Sequence, residues 1–314
     1  MLVFLKQIPH CLRRVDSFLA LKNINTPLLS VLIPAYEYPL GVTRILDALA
    51  ENCELPIECI IYDDSTTDSV EQAVHNHPAN LKLIYHRNNP SLGAIKNWNY
   101  LLNSAQGMFV MLLHHDECPV QYGFFRDLCF SLTSEIDAIV LDCFIFNTKS
   151  GRMRRHFPLS LKKLVLQYFP SYLLRRNLIG PPSVLVVRRQ KILLFDIRIP
   201  WLVDVEWYYR LLSQTQFRVN ITKKLLLLSV IRQDSITASF GNTLSIQKIR
   251  QSTILLSENL SLKVLKLSAP CNYRDRISGI SETICWYFIR FLTRLFAHIS
   301  SKKIPEYIRR SLRI

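Results

Sequence analysis

What this sequence lacks narrows it first. Its eight cysteines (Cys11, Cys53, Cys59, Cys118, Cys129, Cys143, Cys271 and Cys285) never fall into a CxxC pair. A zinc site of the usual spacing is therefore absent, and a chain of 314 residues does not depend on a disulfide scaffold. Reduced thiols in a cytosolic setting are the expectation. No run of about 18 uncharged apolar residues occurs, so no membrane-spanning helix is expected. Lys6, Arg13, Arg14 and Asp16 break up the N-terminus too often for a signal peptide. Internal repeats and low-complexity tracts are missing. So are GxGxxG and GxxxxGK[ST], which removes the usual dinucleotide fold and the P-loop.

One sign of charge is also missing from a long stretch. Residues 143–195 carry eleven Lys/Arg and no acid, whereas residues 27–142 carry fifteen acids and five Lys/Arg. The net charge of +15 is thus the sum of an acidic part and a basic part. A nucleic-acid binder would account for the sum but not for the acidic part, so nucleic acid is an unlikely partner. Two tasks in one chain fit the distribution better.

Leu29–Ala35 is an uninterrupted apolar run, the pattern of a parallel strand buried on both faces. Strands are also expected at Ile57–Tyr62, Leu81–Tyr85 and Met108–Leu113. Helices are expected at Gly41–Asn52, Asp68–His77 and Ser91–Ala105. Such alternation predicts an α/β fold, a mostly parallel sheet with flanking helices. Beyond it the pattern predicts a long strand at Ile136–Phe146 and a basic turn at Asn147–His156. A helix interrupted at Pro170 follows over Leu161–Arg176, then strands at Ser183–Val187 and Leu225–Ile231 around a helix at Val203–Leu212. The chain from Thr243 reads as mainly helical. The division that results is an N-terminal extension (1–26), a first half with acidic strand ends (27–142), a second half that begins basic (143–240) and a basic helical C-terminal region (241–314).

Polar side chains gather where strands end: Tyr36 and Glu37, then Asp63 and Asp64, then Asp116 and Glu117. Ligands of open α/β sheets bind at such carboxyl ends. Asp116 and Glu117 are adjacent carboxylates suited to Mg²⁺ or Mn²⁺, although a solvated turn would look the same. His114 and His115 invite a zinc reading, but consecutive strand residues point to opposite faces, so the four side chains are not expected to converge. Asp63 and Asp64 suit either a base or ribose contact or a helix cap. Asp204 opens a helix among Trp201, Trp207, Tyr208 and Tyr209. Partial burial there would raise its pKa toward that of a general base, and capping is the alternative.

Taken in order, these segments resemble family 2 glycosyltransferases, the GT-A group. The segments are Ser30–Glu37 (SVLIPAYE), Tyr62–Thr66 (YDDST), Asn88–Gly93 with Asn97-Trp98-Asn99 and Gly107, Leu113–Glu117 (LHHDE), and Trp201–Arg210 (WLVDVEWYYR). The resemblance covers about residues 29–215. It implies an inverting, nucleotide-sugar-dependent transferase in which Pro34, Tyr36 and Glu37 line the nucleoside pocket. Asp64 would contact the base, with Asp63 beside it. Asp116 would meet the ribose or the metal, Glu117 would hold the metal, and Asp204 would be the catalytic base. Lys96, Asn99, Glu206, Trp207 and Arg210 join the substrate-binding set through the same motifs. His114 stands where the family usually has the first aspartate of its DxD motif, and Val203 where it often has an acid. A nucleotide-binding relative without turnover therefore stays open.

The implied partners are a nucleotide-sugar donor and a glycan or lipid-linked acceptor of cell-surface polysaccharide, lipopolysaccharide or capsule synthesis. Trp286, Phe288, Phe291 and Phe296 alternate with Arg290 and Arg294, a pattern that suits an anionic membrane surface. A cytoplasmic protein peripheral to the membrane is the expectation.

Overall fold

The computed structural model describes residues 26–51, 54–168, 173, 177–199, 202–232 and 302–303. Strand β1 (Leu29–Ala35) is buried along its whole length because β2 (Ile57–Asp63) and β4 (Phe109–Leu112) flank it in parallel. A strand enclosed on both faces has no solvent side to show, which explains a run that is apolar but for Ser30, whose hydroxyl donates to Glu58. β3 (Leu83–Arg87) closes this edge, parallel to β2, and alternates between more and less exposed residues. Helix α1 (Pro39–Ala50) opens with a proline, whose fixed φ suits the first helical turn. It buries Val42, Ile45, Leu46 and Leu49. Each such side chain contributes about 1.5–3 kcal/mol relative to exposure. Helices α2 (Ser69–His75) and α3 (Ala94–Ser104) complete the alternation foreseen for this half.

The mixed α/β fold with a mostly parallel core sheet and flanking helices is present, and the rest of the chain extends that sheet. Strand β8 (Leu185–Arg188) runs antiparallel between β4 and β6 (Ala138–Asn147). The sheet order is β10-β7-β6-β8-β4-β1-β2-β3, where β10 is Lys302–Lys303. Strand β6 therefore carries the sheet across the 142/143 division without a break. The basic stretch at 147–156 is not a simple turn. Arg152–Arg155 form β7, which pairs back on Phe144–Asn147. The long strand β6 leaves an edge that only a returning strand satisfies.

Four further elements depart from the sequence pattern. Helix α4 (Phe124–Ser131) and the short strand β5 (Glu117–Pro119) were not foreseen. Helix α5 begins at Leu159, and its described part ends at Tyr168. Strand β9 (Val219–Ile231) starts six residues before the expected Leu225, and its register against β6 shifts between Ile221 and Leu226. Helix α6 (Val203–Leu212) has the expected bounds. The aromatic and basic C-terminal segment lies outside the described residues, except Lys302–Lys303, which are extended rather than helical. Among the described residues no helix is long and apolar enough to cross a membrane.

Candidate functional site

The site lies where β1, β2 and β4 end. After β4 the chain leaves the strand and turns, and the Glu117 N–H donates to the His114 carbonyl at 3.0 Å. That turn removes the strand alternation on which the sequence argument rested. His114, Asp116 and Glu117 therefore do converge, with one potential ligand atom from each within 4.8 Å of the others. His115 points elsewhere: its Nδ1–H donates to the Pro34 carbonyl at 2.9 Å. Helix α1 sits directly on this turn. A Cβ at Gly41 would come within 2.0 Å of the His115 carbonyl oxygen, so no other residue fits there without displacing the turn.

The donor set suits a divalent cation. Burial pushes the His114 ring down to about 4, leaving a neutral imidazole able to ligate, and its buried Nε2 has no hydrogen-bond partner. Glu117 is fully buried on β5, and burial together with Asp116 pushes its carboxyl well above the usual range. A cation in the turn would reverse that cost. Ser183 Oγ donates to Glu117 Oε2, and Ser229 Oγ donates to Oε1 at 3.3 Å from the paired position on β9. The His114 N–H donates to the same Ser183 Oγ at 3.0 Å.

The acids after β1 and β2 tie neighbouring loops together. Asp64 accepts from Leu92 N and Gly93 N (2.7 Å each), Ser91 Oγ (2.7 Å) and Asn88 Nδ2 (3.0 Å). Burial opposes its ionisation, yet these donors outweigh burial and hold the carboxyl below its ordinary value. With both oxygens taken, Asp64 organises the 88–93 loop instead of facing a base. Asp63 is fully buried and accepts from Ser65 N at 2.9 Å and Tyr85 OH at 2.8 Å. Glu37 adopts a left-handed backbone (φ 48°) and accepts from the hydroxyls of Thr67 and Thr66 at 2.7 Å. Those two hydroxyls chiefly hold its carboxyl down to about 2. What stays open at this end of the sheet is the Tyr36 ring, 52% exposed, and the part-exposed Asp116.

Asp204 stands in the first turn of α6, just after Leu202 in a left-handed conformation (φ 62°). Its carboxylate accepts from Val205 N at 2.9 Å and Asn177 Nδ2 at 2.7 Å. Burial dominates and pushes it up to about 6. Helix α6 reaches the 114–117 turn in two ways. The buried Tyr208 phenol lies within electrostatic reach of both Asp204 and Glu117, although burial is the larger cause of its raised pKa. A ladder of rings also runs from His114 to Trp98 (4.7 Å, stacked), to Phe195 (5.2 Å, edge-on) and to Trp207 (4.5 Å, stacked).

Several expected substrate contacts have partners within the fold. Trp207 is buried and donates from Nε1 to the Leu193 carbonyl, so it braces α6 and does not face a ligand. Asn99 spends both ends of its amide on the Phe195 backbone at 2.8 Å. Glu206 is buried and chelates Arg210, whose Nη2 also donates to the Leu194 carbonyl. Lys96 is exposed on α3. Asn177, Ser183 and Tyr208 were missed as site residues, because their roles come from pairings across the fold that no local motif marks.

Comparison with known proteins agrees with this fold. Residues 30–197 match the family model for glycosyl transferase family 2, and the chain belongs to that family. It is 27% identical over 213 residues to the uncharacterized protein MT1568 of Mycobacterium tuberculosis, covering 62% of this chain and 64% of that protein. The crystal structure of S. aureus TarS in complex with UDP-GlcNAc superposes with a TM-score of 0.54 at 17% identity, covering 72% of this chain and 65% of that chain. The TarS complex with UDP gives 0.51 at 16% identity, over 79% and 76%. The chain thus spans just under two thirds of the length of the curated relative and of the first of these structures.

Proposed function

We propose that this glycosyltransferase moves a sugar from a nucleotide-sugar donor to an acceptor hydroxyl with inversion, Asp204 acting as the base. The observation that carries this reading is the segment 177–184. It ends a hydrogen bond on Asp204 at one end and one on Glu117 at the other, so an acceptor-side acid and a cation-binding turn share one support. A carboxylate pushed up to about 6 is ionised at neutral pH yet basic enough to take a proton in the transition state. The other acid of that helix, Glu206, is locked to Arg210, which leaves a single acid there for chemistry and so favours one displacement.

His114, Asp116 and Glu117 would hold Mg²⁺ or Mn²⁺, which supplies charge stabilisation for the departing nucleoside diphosphate. Tyr36 offers its exposed ring to the nucleobase, and the Pro34 carbonyl next to it fixes His115. The donors in the TarS complexes, UDP-GlcNAc and UDP, support a uridine nucleotide as the first to try. Arg152 and Lys163, exposed beyond β6, support an anionic acceptor such as a lipid-linked or phosphorylated glycan at a membrane surface.

The test is a thermal-stabilisation screen of UDP- and GDP-sugars with and without Mn²⁺, followed by nucleoside diphosphate release with the hits. A true donor stabilises by about 2.7 kcal/mol at a hundredfold excess over its Kd. Stabilisation with turnover that Asp204→Asn abolishes supports the whole reading. Stabilisation without turnover on any acceptor would instead make the chain a nucleotide-binding relative that does no chemistry.

A further inference from the structure

The base assignment leaves unexplained what holds Asp204 in one orientation. The side chain of Asn177 uses both ends of its amide. Its Oδ1 accepts from the N–H groups of Ile179 at 3.1 Å and Gly180 at 2.9 Å. Its Nδ2 donates to the Gly180 carbonyl at 2.8 Å and to Asp204 Oδ2 at 2.7 Å. A flipped amide would face two N–H donors with its own NH₂, so only one orientation is allowed. The loop that fixes the amide is itself clamped. The buried Lys162 of α5 donates from Nζ to the Ile179 carbonyl at 2.7 Å, and Tyr208 OH donates to the Gly180 carbonyl at 2.9 Å. Gly180 has φ +120°, a backbone conformation that side-chain-bearing residues rarely adopt, so the turn is written into the sequence.

We propose that Asn177 is the positioning residue for Asp204: its locked amide occupies Oδ2 and thereby fixes which part of the carboxylate is offered to the acceptor. The inference rests on Asp204 being the base. Val205 N–H takes Oδ1 from the other side, so the rotamer is held at two points. The contact also has an electrostatic consequence. Burial raises the Asp204 carboxyl, whereas the Val205 N–H and the Asn177 amide pull it down toward ionisation. The titratable groups facing this corner are Tyr208 from α6, Lys162 from α5, Cys143 from β6, Glu117 from β5 and His156, whose ring lies by Gly180. None of them donates to Asp204 among the hydrogen bonds of the described residues, so Asn177 is the side-chain donor on which the carboxylate depends.

Asn177→Asp is the informative variant. It is isosteric, keeps an acceptor for the Ile179 and Gly180 N–H groups, and removes the donor to Asp204. With isotope-labelled aspartate carrying the label at Cγ, the Asp204 resonance is the one lost in Asp204→Asn. In Asn177→Asp two carboxyls share the corner, so the upper titration midpoint of the pair should move to higher pH by about one unit or more. With the donor chosen by the screen, kcat should fall by on the order of 10²-fold, since a displaced catalytic group costs that much. Binding of UDP with Mn²⁺ should stay unchanged. Added to Asp204→Asn, the Asn177 substitution should cost nothing further. An unmoved midpoint, or losses that multiply in the double variant, would overturn the proposal. A moved midpoint in a protein whose turnover ignores Asp204→Asn would overturn the base assignment and leave the hold of Asn177 on Asp204 standing. Asn177→Ala, which removes both ends of the amide, should move the midpoint in the same direction, and failure to do so counts equally against it.

Discussion

Asn177 and Ser183 stand six positions apart in one loop, and each donates to an acid of the site: Asn177 to Asp204, Ser183 to Glu117. The His114 N–H donates to that same Ser183 hydroxyl, so the loop grips the 114–117 turn twice. The proposed base and the candidate cation site are therefore set by one short piece of chain anchored on α5, α6 and β8.

This arrangement predicts how the cation is held. Chelation of metal by EDTA should abolish transfer and weaken UDP binding, and Asp116→Ala with Glu117→Ala should do the same in a folded protein. His114→Asp should shift preference from Mn²⁺ toward Mg²⁺, because an all-oxygen site suits the harder ion. Calorimetric titration of both ions in the presence of UDP measures this directly. An ion preference unchanged by His114→Asp would remove the histidine from the donor set.

Much of this site was legible in the sequence, and what was missed has a physical cause. The apolar run of β1 and the acids at strand ends locate the ligand-binding edge because a parallel sheet buries everything else. The convergence of His114 with Asp116 and Glu117 was not legible, since strand alternation fails once the chain turns at His114. Trp207 and Asn99 looked like ligand contacts because motifs near a site also contain the residues that brace it. Asn177 and Ser183 carry no local pattern at all; they matter through partners 27 and 66 residues away.

Asp64 should behave as a structural acid. Its folded-state carboxyl lies below its ordinary value, so its contribution is present at neutral pH and is lost as pH falls through the folded pKa. Asp64→Asn replaces a charged acceptor of four hydrogen bonds by an amide that faces N–H donors with its own NH₂. A loss of about 1–3 kcal/mol is expected at pH 7, narrowing in acid, by urea unfolding at several pH values. A loss independent of pH would show that the carboxylate charge plays no part in holding the 88–93 loop.

Glu206 lies two residues beyond Asp204, about 200° around the helix axis, and should differ from it in kind. Its buried carboxylate is chelated by Arg210, so Glu206→Gln leaves a guanidinium short of its partner. Breaking such a pair typically costs about 3–5 kcal/mol, and the half-exposed Arg210 should bring the loss toward the lower end. Thermal unfolding should therefore drop markedly while kcat of the surviving folded fraction changes little. A variant with wild-type stability and no turnover would exchange the roles assigned to the two acids.

The sharpest expectation concerns Asp204, where function and stability should pull in opposite directions. Its folded-state carboxyl is pushed up to about 6 from an ordinary 3.8, with burial as the main cause. For a raised acid the unfolded state ionises first. The native state therefore carries no penalty below about pH 4, loses stability as pH rises through the window to about 6, and bears the full penalty above it. Two pH units correspond to about 2–3 kcal/mol at most. Asp204→Asn keeps the size and the acceptor for Asn177 and removes the charge, although its NH₂ then faces the Val205 N–H and offsets part of the gain. Its melting temperature should exceed that of the wild type at pH 8, by about 2–4 °C per kcal/mol recovered, and the gain should vanish near pH 4. Turnover should fall by about 10²–10⁴-fold at pH 8, the usual worth of a general base, while UDP affinity stays unchanged. A helix-capping aspartate would show neither effect, because asparagine caps as well as aspartate does. The two measurements on one variant therefore separate a buried base from a cap: a stabilised, inactive protein at pH 8 is the signature of the base, and an unstabilised, active one refutes it.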